Sequence, residues 1–340
     1  VCLSVCLSVY LSVWLPACLA AWLPVSLSPS LPLCLSACLP VFALSVSLLS
    51  LSLSFFLSLS PSPSVGLPCI LSGIPLVSAV AGKWTIPYLA QHFSSERYTV
   101  YASTSERFRY WREDTWGCYQ HEPPTEVRNM SFADFVAQMR DHGEHSKMLY
   151  FQQALVMGVG EQILRDFQQL DLETAVLLKQ LGHWQELTTN LLLVAPRGAV
   201  TPAHYDEQQN LFAQICGRKH VRLFRPQEFA RMYPFPLAHP GDRQSQLEIP
   251  AVAEGGPRLP PANAERFPGF SRTVEYSATL SEGEVLYIPA YWWHQIESLT
   301  DNVSMTWWFK CAAADQAEKD SETGRIRLRE HDKAALRRNV

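Results

Sequence analysis

No aspartate, glutamate, lysine, arginine or histidine occurs before Lys83. All 28 Lys and Arg, all 32 Asp and Glu and all ten His fall in residues 83–340. A folded domain keeps charged and polar side chains on its surface. The chain is therefore two materials joined, and only the later one has globular composition. The net charge of −4 belongs to that later part, which holds no long basic run. Nucleic-acid backbones are held by Lys and Arg contacts to phosphates, so this balance speaks against such a partner.

The early part opens VCLS VCLS VYLS VWLP, with leucine at every fourth position from Leu3 to Leu39. A period of four suits neither an amphipathic helix nor a strand. It does suit a four-base DNA repeat read in triplets, which returns to frame after four codons. Translated repetitive DNA is the favoured reading for residues 1–72, and the missing initiator Met goes with it. Two alternatives stay open. One is a low-complexity linker. The other is a signal or membrane segment, opposed by Pro16, Pro24, Pro29, Pro32 and Pro40 and by the lack of a basic leader.

Six of the nine cysteines lie in this early part. Cys118, Cys216 and Cys311 are scattered through the rest without a CxxC pair. They read as free thiols of a reducing compartment, not as a disulfide frame or a zinc site.

Residues 73–310 are expected to fold as one domain, mostly β with flanking helices, and 311–340 to form a charged, truncated C-terminal helical region. Apolar spacing predicts helices over Lys83–Phe93, Met130–Arg140 (with Ser131 as N-cap) and Gln152–Leu170. A further helix is expected over Arg325–Arg338, and a strand over Tyr98–Ala102. From Leu191 short apolar runs alternate with turn residues: LLLVA, LFAQIC, HVRLF, TVEYSATL, EVLYIP and VSMTWWF. Many short strands at this spacing indicate an antiparallel sandwich or jelly roll.

Within that texture stands Thr201-Pro-Ala-His204-Tyr-Asp206. Alternate residues of an extended segment point the same way, so His204 and Asp206 can share one ion. A second string, Gly283-Glu-Val-Leu-Tyr-Ile-Pro-Ala-Tyr-Trp-Trp-His294, brings a histidine after an apolar strand. Two histidines and one carboxylate on one side of an ion leave the other side open, the arrangement of non-haem iron oxygenases. The long interval between Asp206 and His294 suggests two distant strands of one barrel. The plainer reading of each string is a hydrogen-bonded histidine in a core.

The words TPAHYDEQQNLFAQICGRKH, DRQSQ (Asp242–Gln246), ERFPGF (Glu265–Phe270) and VLYIPAYWWHQIES resemble the JmjC-type asparaginyl hydroxylases that inhibit hypoxia-inducible factor. The resemblance covers roughly residues 73–340 and is dense from Leu149 to Lys310. It implies a double-stranded β-helix core of cupin-like type. It implies iron(II) on His204, Asp206 and His294, with 2-oxoglutarate and O2 as cosubstrates and ascorbate as reductant. Lys219, with Tyr150 and Thr201, matches the holders of the distal 2-oxoglutarate carboxylate. Asn210 matches an amide at the metal-bound end. Gln244 and Arg243 match the groups that bind the target side chain, and Tyr110 and Trp308 match substrate-side aromatics.

The chain departs from the family at Thr306, on the cosubstrate side, where an asparagine is usual. It also ends before the second helix of the family's dimer interface, which leaves homodimerisation in doubt. The activity implied is 3-hydroxylation of asparagine in an ankyrin-repeat or hypoxia-inducible-factor-like segment, in the cytoplasm or nucleus. No nucleic-acid or membrane partner is expected. The competing readings are a JmjC oxygenase acting on another residue or on tRNA, and a jelly-roll binding module without turnover.

Overall fold

The computed structural model describes residues 67–111, 123–140, 147–155, 158–181, 184–236, 239–252 and 259–310. The helix expected over Arg325–Arg338, and nearly all of the repeat, lie outside them. Twelve strands among the described residues form two antiparallel sheets. The larger sheet takes β1 (Cys69–Leu71), β10 (Val285–Ile288), β7 (Gln209–Cys216), β12 (Asn302–Phe309), β5 (Leu187–Ala195), β4 (Met148–Gln153), β2 (Tyr98–Ser103) and β3 (Thr125–Met130), in that spatial order. The smaller takes β6 (Val200–Tyr205), β11 (Trp293–Ser298), β8 (Lys219–Phe224) and β9 (Glu275–Leu280). This is the mostly-β core of jelly-roll type expected from the strand pattern, and its two-sheet form is the one the resemblance implies. Cys69–Leu71, paired with Val285–Tyr287, belongs to the sheet although it precedes the boundary drawn at residue 72.

The alternation of side chains along each strand makes three apolar layers. Leu192 and Val194 of β5, Leu211, Ala213 and Ile215 of β7 and Val303, Met305 and Trp307 of β12 face outward. There they pack with α1 (Ile86–His92), α2 (Phe132–Met139) and α3 (Glu161–Gln168). Their neighbours Leu193, Phe212, Leu286 and Ile288 point between the sheets, where they meet Val221, Leu223 and Ile296 of the smaller sheet. A third layer covers the outside of the smaller sheet. Trp293, Tyr205 and Phe224 are buried there under Met232, Leu247, Phe267 and Phe270 from the long excursion between β8 and β9. Each fully buried side chain of this kind contributes roughly 1.5–3 kcal/mol.

Local chemistry sets the helix ends. α1 begins at Ile86, not Lys83, because the Thr85 hydroxyl accepts from Tyr88 N and Pro87 occupies the first turn. Ser131 caps α2 as expected, accepting from Asp134 N at 3.1 Å. The helix predicted over Gln152–Leu170 is corrected. Gln152 and Gln153 finish β4, which pairs with β2 and β5, and helix returns only at Glu161. Gly158 and Gly160, with φ of 101° and 119°, break the chain between them. A Cβ at Gly160 would lie 2.3 Å from His92 O, so this close approach requires glycine. One more helix, α4 (Leu172–Leu181), follows α3, and a short α5 (Pro261–Arg266) lies in the β8–β9 excursion. Among the described residues no helix is long and apolar enough to cross a membrane.

Candidate metal centre

His204 and His294 are direct cross-strand partners on β6 and β11. Their strands are neighbours in the smaller sheet, which corrects the expectation of two distant strands. The interval in sequence is spent on β7, β8, β9 and β10. The two imidazole centroids lie 4.1 Å apart. Asp206 follows one residue past the end of β6, with its Oδ2 3.8 Å from His294 Nε2. One ligand atom from each of the three residues lies within 4.8 Å of the other two. The Asp206 main chain is fixed by Tyr291, whose N–H donates to Asp206 O at 2.7 Å. Tyr291 holds φ at +66°, an uncommon conformation for a non-glycine residue that tends to collect at functional sites.

The donor set suits a divalent metal. His204 Nδ1 donates to Pro202 O and His294 Nδ1 to Trp292 O, each at 2.9 Å. With Nδ1 protonated, Nε2 keeps its lone pair for an ion, and the backbone carbonyl fixes the ring plane. Burial, with His204 alongside, holds the His294 imidazole well below its usual range. For Asp206, burial pushes the carboxyl up. His204, His294, the Trp308 N–H and Arg243 outweigh it, so the group stays below the ordinary carboxylate range.

Between the sheets, Lys219 of β8 is 1% exposed. Its Nζ reaches the Tyr150 hydroxyl at 3.4 Å and lies 5.0 Å from the centre of the Phe212 ring. Burial alone lowers its pKa to about 7, and no acid among the described residues offsets that shift. Tyr150 is pushed up to about 12 by burial and hydrogen-bonds Thr201. A buried amine beside one hydroxyl, which itself bonds a second, with no carboxylate among the described residues is an incomplete ion pair, the chemistry that an organic anion would complete.

The other residues singled out from sequence fall at the rim or on the facing sheet. Thr306 donates to Asn210 Oδ1 across β12 and β7, so the threonine has a partner of its own. Gln244 bridges to His204 through the backbone, and its Nε2 donates to Tyr110 O. Arg243 sits beside it at φ +67°, and Tyr110 is half exposed. Trp308 donates from Nε1 to Asp206 Oδ2 at 3.0 Å, a contact with a ligand that its expected place on the pocket wall did not include.

Two positions escaped sequence reasoning. Tyr291 is one. Gln209 is the other: its Oε1 accepts from Tyr287 OH and Ala290 N and so secures the turn leading into His294. A pair of adjacent amides, Gln209-Asn210, opening a strand that is apolar elsewhere except at Gln214 was the available signal.

The chain is 36% identical to lysine-specific demethylase 8 of Xenopus tropicalis over 126 residues, 36% of this chain and 25% of that protein. It is 32% identical to lysine-specific demethylase JMJ30 of Arabidopsis thaliana over 126 residues, 37% of this chain and 26% of that protein. It is 23% identical to tRNA wybutosine-synthesizing protein 5 of Gallus gallus over 266 residues, 76% of this chain and 74% of that protein. The chain thus spans about a quarter of the length of the two demethylases. A family model described as a cupin-like domain matches residues 63–315. With the two-sheet core and the His-Asp-His cluster in place, the chain belongs to the cupin-like domain family, within the JmjC and 2-oxoglutarate oxygenase superfamily.

Proposed function

We propose that this chain is an iron(II)- and 2-oxoglutarate-dependent oxygenase that hydroxylates a protein side chain, with asparagine as the target. The observation that carries the reading is one interior holding both the His204–Asp206–His294 cluster and the buried Lys219, which has no acidic partner among the described residues. Iron(II) and 2-oxoglutarate, when bound, would supply the chemistry that puts one atom of O2 into a C–H bond, with succinate and carbon dioxide as by-products.

The protein's part is placement. His204 and His294 offer Nε2 because their Nδ1 atoms are committed to backbone carbonyls. Lys219, Tyr150 and Thr201 would hold the far carboxylate of the cosubstrate, with Asn210 and Thr306 nearer the metal. The apolar walls Phe212, Leu286 and Ile288 keep water from that end. At the rim, one N–H of Gln244 is committed to Tyr110 O, which leaves Oε1 to accept from a substrate amide. The asparagine target and a hypoxia-inducible-factor-like or ankyrin-repeat partner rest on Gln244, Arg243 and the resemblance in the surrounding words. A cytoplasmic or nuclear setting goes with them, supported by the free thiols of Cys69 and Cys216.

The relatives named as lysine-specific demethylases favour a second reading, in which the target is a methylated lysine. Purified protein with iron(II), ascorbate, 2-oxoglutarate and either an ankyrin-repeat peptide or a methyl-lysine peptide separates the two. The first reading expects peptide-dependent succinate and a gain of one oxygen mass on asparagine, both lost in Asp206→Ala. Formaldehyde release from the methylated peptide would move the assignment to the second. Absence of succinate from the folded, metal-loaded wild type with either peptide would end both.

A further inference from the structure

We infer that Trp308 is a positioning residue for Asp206: its indole N–H holds one carboxylate oxygen and fixes the orientation in which the group is offered to an ion. This rests on the metal-site reading above. Both histidines stand side by side on the smaller sheet, and Asp206 continues one of those strands. Trp308 belongs to β12 of the other sheet, opposite Asn210 of β7. The bond at 3.0 Å therefore ties a ligand of one sheet to the facing wall.

Three features make this bond more than a chance contact. First, Asp206 Oδ2, the oxygen that accepts it, is the one that lies 3.8 Å from His294 Nε2, so the donor acts on the edge of the carboxylate that faces the histidine. Second, the pairing of β12 with β5 slips between Trp308 and Phe309, and such irregularities re-aim side chains beside active sites. The Thr188 hydroxyl donates to Trp308 O at the same point, which anchors the irregular backbone. Third, the donor is neutral. A Lys or Arg in its place would take part of the negative charge that attracts a divalent ion, whereas an indole N–H orients the carboxylate and leaves its charge in place.

A carboxylate that would ligate an ion can turn about its side chain, and a donor fixed to the facing sheet holds it in one orientation before the ion arrives.

Cobalt(II) alone, added to the purified full chain, tests this without turnover. Wild type should bind it with a visible absorption set by its coordination. Trp308→Phe should weaken cobalt(II) binding by about 10–100-fold, the usual effect of losing an outer partner of a metal ligand, and should change the spectrum. Replacement of Trp308 by the sulfur isostere benzothienylalanine removes only the N–H and guards against a packing defect. It should reproduce both effects while the far-ultraviolet circular dichroism of the metal-free protein stays that of wild type. In an Asp206→Ala background the same replacement should leave the residual affinity unchanged. Wild-type affinity and spectrum in the isostere, or an equal loss with Asp206 absent, would overturn the role of Trp308 alone. Failure of the wild type to bind cobalt(II) would overturn the metal-site reading with it.

Discussion

Lys219 is the residue whose state most depends on what lies beside it. Its folded pKa of about 7 is below its ordinary value of 10.5, and the cause is burial. Between those values the unfolded chain binds more protons than the fold. The ligand-free protein therefore gains stability as pH rises through that window, and below about 7 it bears the full cost of a buried charge. A bound carboxylate reverses the preference and draws a proton onto the amine. Calorimetry of 2-oxoglutarate binding at pH 8.5, in buffers of different ionisation enthalpy, should show uptake approaching one proton per site. Affinity should fall as pH climbs further. Binding with no proton exchange would mean that the ammonium is already charged or lies apart from the anion.

At the scale of elements, Asp166 on α3 is the firmest link between helices. Its buried carboxylate accepts from Lys83 Nζ at 2.7 Å, Trp84 Nε1 at 3.0 Å, Tyr88 OH at 2.6 Å and Gln162 Nε2 at 2.8 Å. Asp166→Ala leaves a buried indole N–H and a part-buried hydroxyl without an acceptor and should cost about 3 kcal/mol. An unchanged urea midpoint would show that water replaces the carboxylate. Nothing in the spacing of Lys83, Trp84, Tyr88 and Asp166 announced this cluster, because it joins elements some eighty residues apart. The same limit explains what else was legible.

Strands β5, β7, β8, β9, β10 and β12 could be read from apolar runs between turns. β3 could not, because TEVRNM exposes Glu126 and Val127 and buries only its ends. His204 and Asp206 announced themselves by their spacing of two, since strand geometry alone aligns them. That His294 lies directly across from His204 is a property of strand pairing, which no local pattern encodes. The hydrogen bond from Trp308 to Asp206 was illegible for the same reason, as it crosses from one sheet to the other.

For the whole molecule, an ion that binds only the folded chain adds to its stability in proportion to the logarithm of its concentration. At one hundred times its dissociation constant the gain is about 2.7 kcal/mol, a rise in melting temperature of roughly 5–10 °C for a domain of this size. Cobalt(II) should produce that rise in the wild type and a much smaller one in Asp206→Ala, as read by thermal unfolding. Equal shifts in both would trace the effect to some other part of the chain.

The direct pairing of β6 with β11 also has a bearing on synthesis. At about 5–20 residues per second, the ribosome releases β6 several seconds before the roughly ninety residues that end in His294 are complete. During that wait the smaller sheet lacks β11, the strand between β6 and β8, and an early-bound ion would find His204 and Asp206 without His294. Capture of metal by the growing chain would then mark the moment at which β11 slots into place, and a chaperone would have most to shield just before it.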